Sequence, residues 1–232
     1  MTDKQWFHLN DRPSPFIENN ELALFQKYPK LYKKVEDHKN KIHDYSFLEI
    51  EDQKYACRYR QKDDFFYLYN RDSFHNTLPQ YYERIHTFYQ RGVELIAIAG
   101  AGLGYLASHL EMDIRGNLNK GVILIENRPE LIWAQLHLFD CRKLLESNQV
   151  YWAIGEPVLH ELDYLFEHEV FYLLPDNHIL FAPERALNFQ EKQVFHSLQQ
   201  WHLSYRSSQV SIFQQKNAAF FKQMHVPPNL EN

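Results

Sequence analysis

Cysteine is nearly missing from this sequence. The two present, Cys57 and Cys141, stand far apart and form neither a Cys-x-x-Cys pair nor a zinc-ligand spacing, so both read as reduced core residues. Long apolar runs are missing too. No stretch approaches the roughly 18 apolar residues of a membrane span, and Met1-Thr2-Asp3-Lys4-Gln5 lacks the charged-then-apolar pattern of a secretion signal. The expectation is a cytoplasmic protein with no membrane contact. Positive charge is in deficit: 25 Lys and Arg against 30 Asp and Glu give a formal net charge of -5. Aromatic residues reach 16% and can stack on bases, but a nucleic-acid binder also needs a cationic surface, so no nucleic-acid partner is expected.

Catalytic signatures are absent as well. The sequence has no Gly-x-Ser-x-Gly elbow, no Cys–His signature and no phosphate loop ending in Gly-Lys-Ser/Thr. The 13 histidines are scattered and none is assigned a role. His160, Asp163 and Glu167 share one helical face, but Tyr164 stands where the second histidine of His-Glu-x-x-His belongs, so they read as a solvated polar face and no metal is expected.

What is present is the composition of an ordinary globular chain, 44% hydrophobic and 24% charged over 232 residues, long enough to bury a sizeable core. Its best-specified stretch runs from Val93 to Asn127. Val93-Glu94-Leu95-Ile96-Ala97-Ile98-Ala99 is apolar and branched enough for a strand buried on both faces of a parallel sheet. It runs into Gly100-Ala101-Gly102-Leu103-Gly104, three glycines able to take positive φ or admit a close neighbour. Helical spacing resumes at Tyr105-Leu106-Ala107, placing the loop at a helix N-terminus, where free N–H groups favour an anion or polar ligand. A second strand, Gly121 to Ile125, ends in Glu126, about 20 residues beyond the glycines, where nucleotide-binding sheets engage a ribose hydroxyl.

Around this unit, Asn20 to His38 has helical spacing that Pro29 divides into two helices meeting near Tyr28. Phe47–Glu51, Tyr55–Tyr59 and Phe65–Tyr69 change to a period of two and predict an antiparallel meander. Thr77 to Gln90 is a helix stopped by Gly92, a helix follows Pro129, and Gln149 to Ile154 is a further strand. Leu159 to His168 reads as a helix, and Val170–Leu174 with His178–Phe181 as two strands or one broken one. From about Leu187 to Met224 the spacing is helical. Its first half carries Val194, Leu198, Trp201 and Tyr205 and should pack on the domain's own core; Phe213, Phe220, Phe221 and Met224 in the second half suggest a contact with another copy or a downstream domain.

The fold class is therefore α/β: a Rossmann-like, mostly parallel sheet over residues 91–186, a small N-terminal α+β subdomain over 1–90, and C-terminal helices over 187–232. The candidate cofactor-binding residues are Gly100, Gly102, Gly104, Tyr105, Glu126 and Asn127, and the candidate cofactors are a nucleotide or S-adenosylmethionine. Two departures count against these ligands. Tyr105 stands where Gly-x-Gly-x-x-Gly has its third glycine, and Ile98 stands where methyltransferases carry an acid. A glycine turn kept only for packing is the competing reading.

The order of features, with Ala99-Gly100-Ala101-Gly102-Leu103-Gly104-Tyr105-Leu106 followed by Ile123-Leu124-Ile125-Glu126, resembles the N-terminal region of Maf (motility accessory factor) flagellin glycosyltransferases. In that family the loop reads like Gly-x-Gly-Leu-Gly-Tyr, and an aromatic after the last glycine is expected. The resemblance spans roughly residues 20–225. It implies a system that transfers nonulosonic acids from a CMP-activated donor to Ser or Thr of flagellin, with the chemistry in a separate following domain. The chain then reads as the accessory domain without catalytic residues. The implied partner is a protein, either flagellin or a downstream transferase domain, with homodimerisation through the C-terminal face as a further expectation. The alternative function is an S-adenosylmethionine-dependent methyltransferase-like protein.

Overall fold

The computed structural model describes residues 5–117, 120–155, 157–168, 178–181, 196–201, 203–204 and 207. Two helices, α1 (Ile17–Lys27) and α2 (Pro29–His38), meet at Tyr28. Pro29 sits in the first turn of α2, where its missing N–H leaves no helical bond unmade. Strands β1 (Tyr45–Glu51), β2 (Lys54–Gln61) and β3 (Asp64–Tyr69) form an antiparallel meander in that order. Their alternation turns Tyr45, Phe47, Tyr55, Cys57, Tyr59 and Leu68 inward onto Leu103, Leu131, Ala134 and Leu138. The helix α3 (Leu78–Gln90) ends just before Gly92, which takes φ +87°.

The rest alternates strand and helix: β4 (Leu95–Ala99), α4 (Tyr105–Ile114), β5 (Gly121–Glu126), α5 (Pro129–Leu138), α6 (Arg142–Glu146), β6 (Val150–Ile154), α7 (Val158–His168) and β7 (His178–Phe181). These four strands make one parallel sheet in the order β6-β5-β4-β7. Every residue of β4 and β5 is buried, as continuous apolar runs require when helices cover both faces. The Val170–Leu174 reading lies outside the described residues.

A small N-terminal α+β subdomain is not supported. Leu24 of α1 and Leu31 and Val35 of α2 belong to the same core as Ile96, Ile98, Val122, Leu124 and Leu136. The physical reason is the exposed edge of the parallel sheet. β6 is an edge strand, and its outward carbonyls would otherwise be left to pair with another chain. The Tyr28 hydroxyl donates to the Val150 carbonyl at 3.2 Å, and Lys34 Nζ donates to the Ile154 carbonyl at 3.0 Å. The N-terminal helices are thus the cover of the sheet edge. The meander forms as its alternation predicts, yet it packs on the Gly loop and on α5 and shares their core.

Residues 196–201 are helical, with Leu198 buried among Leu95, Val158, Leu162 and Leu165, and Trp201 Nε1 donating to Asp163 Oδ1 at 2.6 Å. Val194, Tyr205 and the apolar residues from Phe213 to Met224, with the contact expected of them, lie outside the described residues. Among the described residues no helix is long and apolar enough to cross a membrane.

Candidate functional site

Five residues turn the chain from β4 into α4. Gly100, Gly102 and Gly104 take φ of +78°, +56° and +76°, the left-handed region where a side chain strains the backbone. The loop sits at the C-terminal edge of the sheet, where the spacing put it. Its donors, however, are turned inward. Gly100 and Ala101 N–H donate to the Ile125 carbonyl at 2.9 and 3.1 Å, and Gly104 N–H donates to the Ala101 carbonyl at 3.0 Å. Gly102 N–H donates to Glu126 Oε2 at 2.8 Å. Four of the loop's five backbone donors, those of Gly100, Ala101, Gly102 and Gly104, are therefore satisfied by the protein itself.

Glu126 is 1% exposed. A carboxylate this deep costs several kcal/mol unless it is paired and hydrogen-bonded, and here it is both. While Oε2 takes Gly102 N–H, Oε1 accepts Arg128 N–H at 3.1 Å and Arg128 Nε at 3.3 Å. The Arg128 guanidinium lies 5.7 Å from the centre of the Tyr59 ring, joining the acid to the meander. A second buried acid, Glu130, accepts the Tyr45 hydroxyl at 3.1 Å.

Two side chains fill the space against the glycines. A Cβ at Gly102 would strike the Tyr69 hydroxyl, and one at Gly104 would strike the Gln135 amide. Tyr105, awkward beside a dinucleotide, is the centre of an aromatic cluster here. Its ring meets those of Tyr69, Phe74 and Phe139 edge-on at 5.2, 4.9 and 5.2 Å, and its hydroxyl accepts Tyr55 N–H at 2.8 Å. Burial pushes the phenols of Tyr69 and Tyr105 well above the usual tyrosine range, so both stay neutral hydrogen-bonding groups. Burial likewise raises the thiols of Cys57 and Cys141, which keeps them protonated and unreactive.

Of the residues singled out in the sequence, Gly100, Gly102, Gly104, Tyr105 and Glu126 come together, and Asn127 stands half-buried beside Glu126. Sequence reasoning missed Tyr69, Gln135, Arg128 and Tyr55. Only Arg128 carried a signal, an opposite charge two positions from the acid. Asp163 of the acidic face engages Trp201, and among the described residues no group of three or more His, Cys, Asp and Glu is placed to hold a metal ion.

As chemistry, this arrangement joins layers. The carboxylate of Glu126 already accepts three donors, and the arrangement ties the meander, the loop and α5 to the ends of β4 and β5. Neither a protein-family model nor any curated protein or solved structure matches the chain.

Proposed function

We propose that the chain is a non-catalytic, Rossmann-like accessory domain of a Maf-like glycosyltransferase system, in which nonulosonic acid is transferred to Ser or Thr of flagellin by a separate domain. The observation that carries the non-catalytic reading is the closed loop: the N–H groups of all three glycines and of Ala101 are engaged internally. The Rossmann-like reading is supported by the parallel order β6-β5-β4-β7. With β4 as the first strand of the unit, this is the third-second-first-fourth order of a doubly wound sheet. What supports the Maf-like reading is that Tyr105, the aromatic expected after the last glycine of a Gly-x-Gly-Leu-Gly-Tyr loop, packs here against Tyr69, Phe74 and Phe139.

The S-adenosylmethionine alternative requires an acid at the end of β5 free to take ribose hydroxyls. Glu126 is instead spent on Gly102 and Arg128.

Calorimetric titration tests the closed loop. CMP, NAD and S-adenosylhomocysteine at millimolar concentration are expected to give no heat, and saturable binding of any of them with micromolar Kd would end the non-catalytic reading. In a reaction with flagellin and a CMP-activated nonulosonic acid, the purified chain alone is expected to transfer no sugar.

A further inference from the structure

The meander has an outer face that its own core does not use. In the register of β2 and β3, Arg58 stands opposite Tyr67 and Arg60 opposite Phe65, so these four side chains share the face turned away from Tyr55, Cys57 and Tyr59. Phe65 is 45% exposed and Tyr67 is 49% exposed. Trp6 reaches the same face and meets the Tyr67 ring edge-on at 6.0 Å.

Arg58 is held at the centre. Its guanidinium carbon lies 4.0 Å from the centre of the Trp6 ring and 4.2 Å from that of Phe65, an aromatic sandwich that fixes the plane of the group. Its Nε is buried without a hydrogen-bond partner, while the residue as a whole is only part-buried. Among the described residues no carboxylate pairs with Arg58. This contrasts with Arg12, Arg115, Arg128 and Arg142, each of which is bound to an acid. No Asp or Glu stands among the residues of β2 and β3 that share the face. It is a cationic and aromatic surface on a chain of net charge -5.

The strand beside it is open. Among the described residues β3 pairs only with β2, and Phe65, Phe66 and Tyr67 run consecutively along it with no proline or lysine to block a further strand. Trp, Tyr and Arg around one fixed anchor are also the residue types that dominate binding energy at protein interfaces.

We infer that this face is a docking site for an extended acidic segment of a partner protein, which adds as a strand to the free edge of β3 and places a carboxylate on the guanidinium of Arg58. Arg58 supplies the bidentate, charge-assisted contact, Arg60 supports it from one strand step away, and Phe66, exposed on the opposite face beside Tyr59, receives the intervening apolar side chains. The inference is independent of the Gly loop and of the glycosyltransferase reading.

The test uses a blocked peptide of about ten residues alternating Glu and Val, whose period of two puts every carboxylate on one side of a strand. Binding is followed by calorimetry and by the emission of Trp6, with Trp6→Phe as the spectral control. The expected result is saturable binding that weakens with salt and falls at least about tenfold in Arg58→Met, which keeps the stacking stem and removes the charge. A comparable loss is expected when alternate peptide nitrogens are methylated to remove strand pairing. Circular dichroism checks that Arg58→Met is folded; if it is not, Arg60→Gln and Tyr67→Ser, at solvent-facing positions, carry the test with the same expected loss. The proposal is overturned by absence of binding at millimolar peptide, by equal binding of a Lys–Val peptide, or by binding that Arg58→Met leaves unchanged. Tighter, Arg58-dependent binding of an oligothymidylate would reassign the face to single-stranded nucleic acid. Self-association that the peptide competes away would reassign it to a second copy of the chain.

Discussion

Glu126 and Gly102, 24 residues apart in the chain, are joined by a buried hydrogen bond of 2.8 Å from the glycine N–H to the carboxylate. The bond turns a feature usually aimed at a ligand back into the protein. An acid at the end of the second strand and a glycine loop after the first are the two halves of a ribose and pyrophosphate site. Here each half satisfies the other, and Arg128 neutralises the acid.

Substituting that acid should therefore cost stability. Glu126→Gln keeps the shape but sets an amide N–H₂ against donors, leaving buried groups unpaired at about 1–3 kcal/mol. For a chain of this size that lowers the melting temperature by about 2–12 °C. Scanning calorimetry checks it. An unchanged melting temperature would mean that the acid is solvated and the loop is held by other contacts.

Gly100 and Gly102 separate backbone strain from crowding. Both have positive φ, so alanine at either costs about 1–2 kcal/mol from the left-handed conformation alone. Only Gly102 faces a neighbour, the Tyr69 hydroxyl, whereas among the described residues nothing lies within 4 Å of a Cβ at Gly100. Gly102→Ala should be the more destabilising. Combined with Tyr69→Phe, which removes the obstructing oxygen, it should cost less than the sum of the two single changes in denaturant melts. Strict additivity would show that Tyr69 does not fill the space beside the loop.

Most of the α/β framework was legible because its signals are local. The apolar runs of β4 and β5 required two buried faces, Pro29 split one helical stretch into α1 and α2, and Gly100 to Gly104 made a turn. What was not legible is long-range. Nothing in the spacing of Tyr28 or Lys34 says that they cover β6, so the N-terminal helices read as a separate unit. Tyr69 stops the space over Gly102 because the meander folds back onto the loop, a tertiary fact without a sequence period. Glu126 was legible by type and place, but the direction of its carboxylate depends on Gly102 N–H and Arg128.

Alkaline pH should unfold the protein through its buried phenols. Burial raises the ionisation of Tyr45, Tyr69, Tyr89 and Tyr105 in the folded state above their ordinary value near 10. A group raised on folding contributes its full stability below the unfolded pKa and loses it as pH climbs toward the folded one. The melting temperature should thus be insensitive to these residues from pH 7 to 9 and fall above about pH 10. Tyrosinate absorbance from them should rise together with loss of far-ultraviolet dichroism. Ionisation of these four ahead of unfolding would contradict their burial.

The last prediction concerns Asn20, which has no exposed surface. Its Nδ2 donates to the Leu136 and Phe139 carbonyls at 2.7 and 2.6 Å, and its Oδ1 accepts Cys141 N–H at 3.0 Å. One amide thereby satisfies the end of α5 and the start of α6 and fixes α1 to both. Asn20→Leu, of similar size, strands two carbonyls and one N–H, and at roughly 1–3 kcal/mol for each unsatisfied group the loss should be about 3 kcal/mol or more. Asn20→Asp distinguishes hydrogen bonding from packing. An ionised carboxylate there would face two carbonyls without a donor of its own, so burial and repulsion raise its pKa, and the protonated form regains one donor. Because the folded pKa is raised, the variant should be closest to the parent below about pH 4 and lose ground as pH rises toward 8. Melting curves of parent and variant at several pH values read this directly. A deficit that stays constant with pH would mean that Asn20 acts through its volume alone.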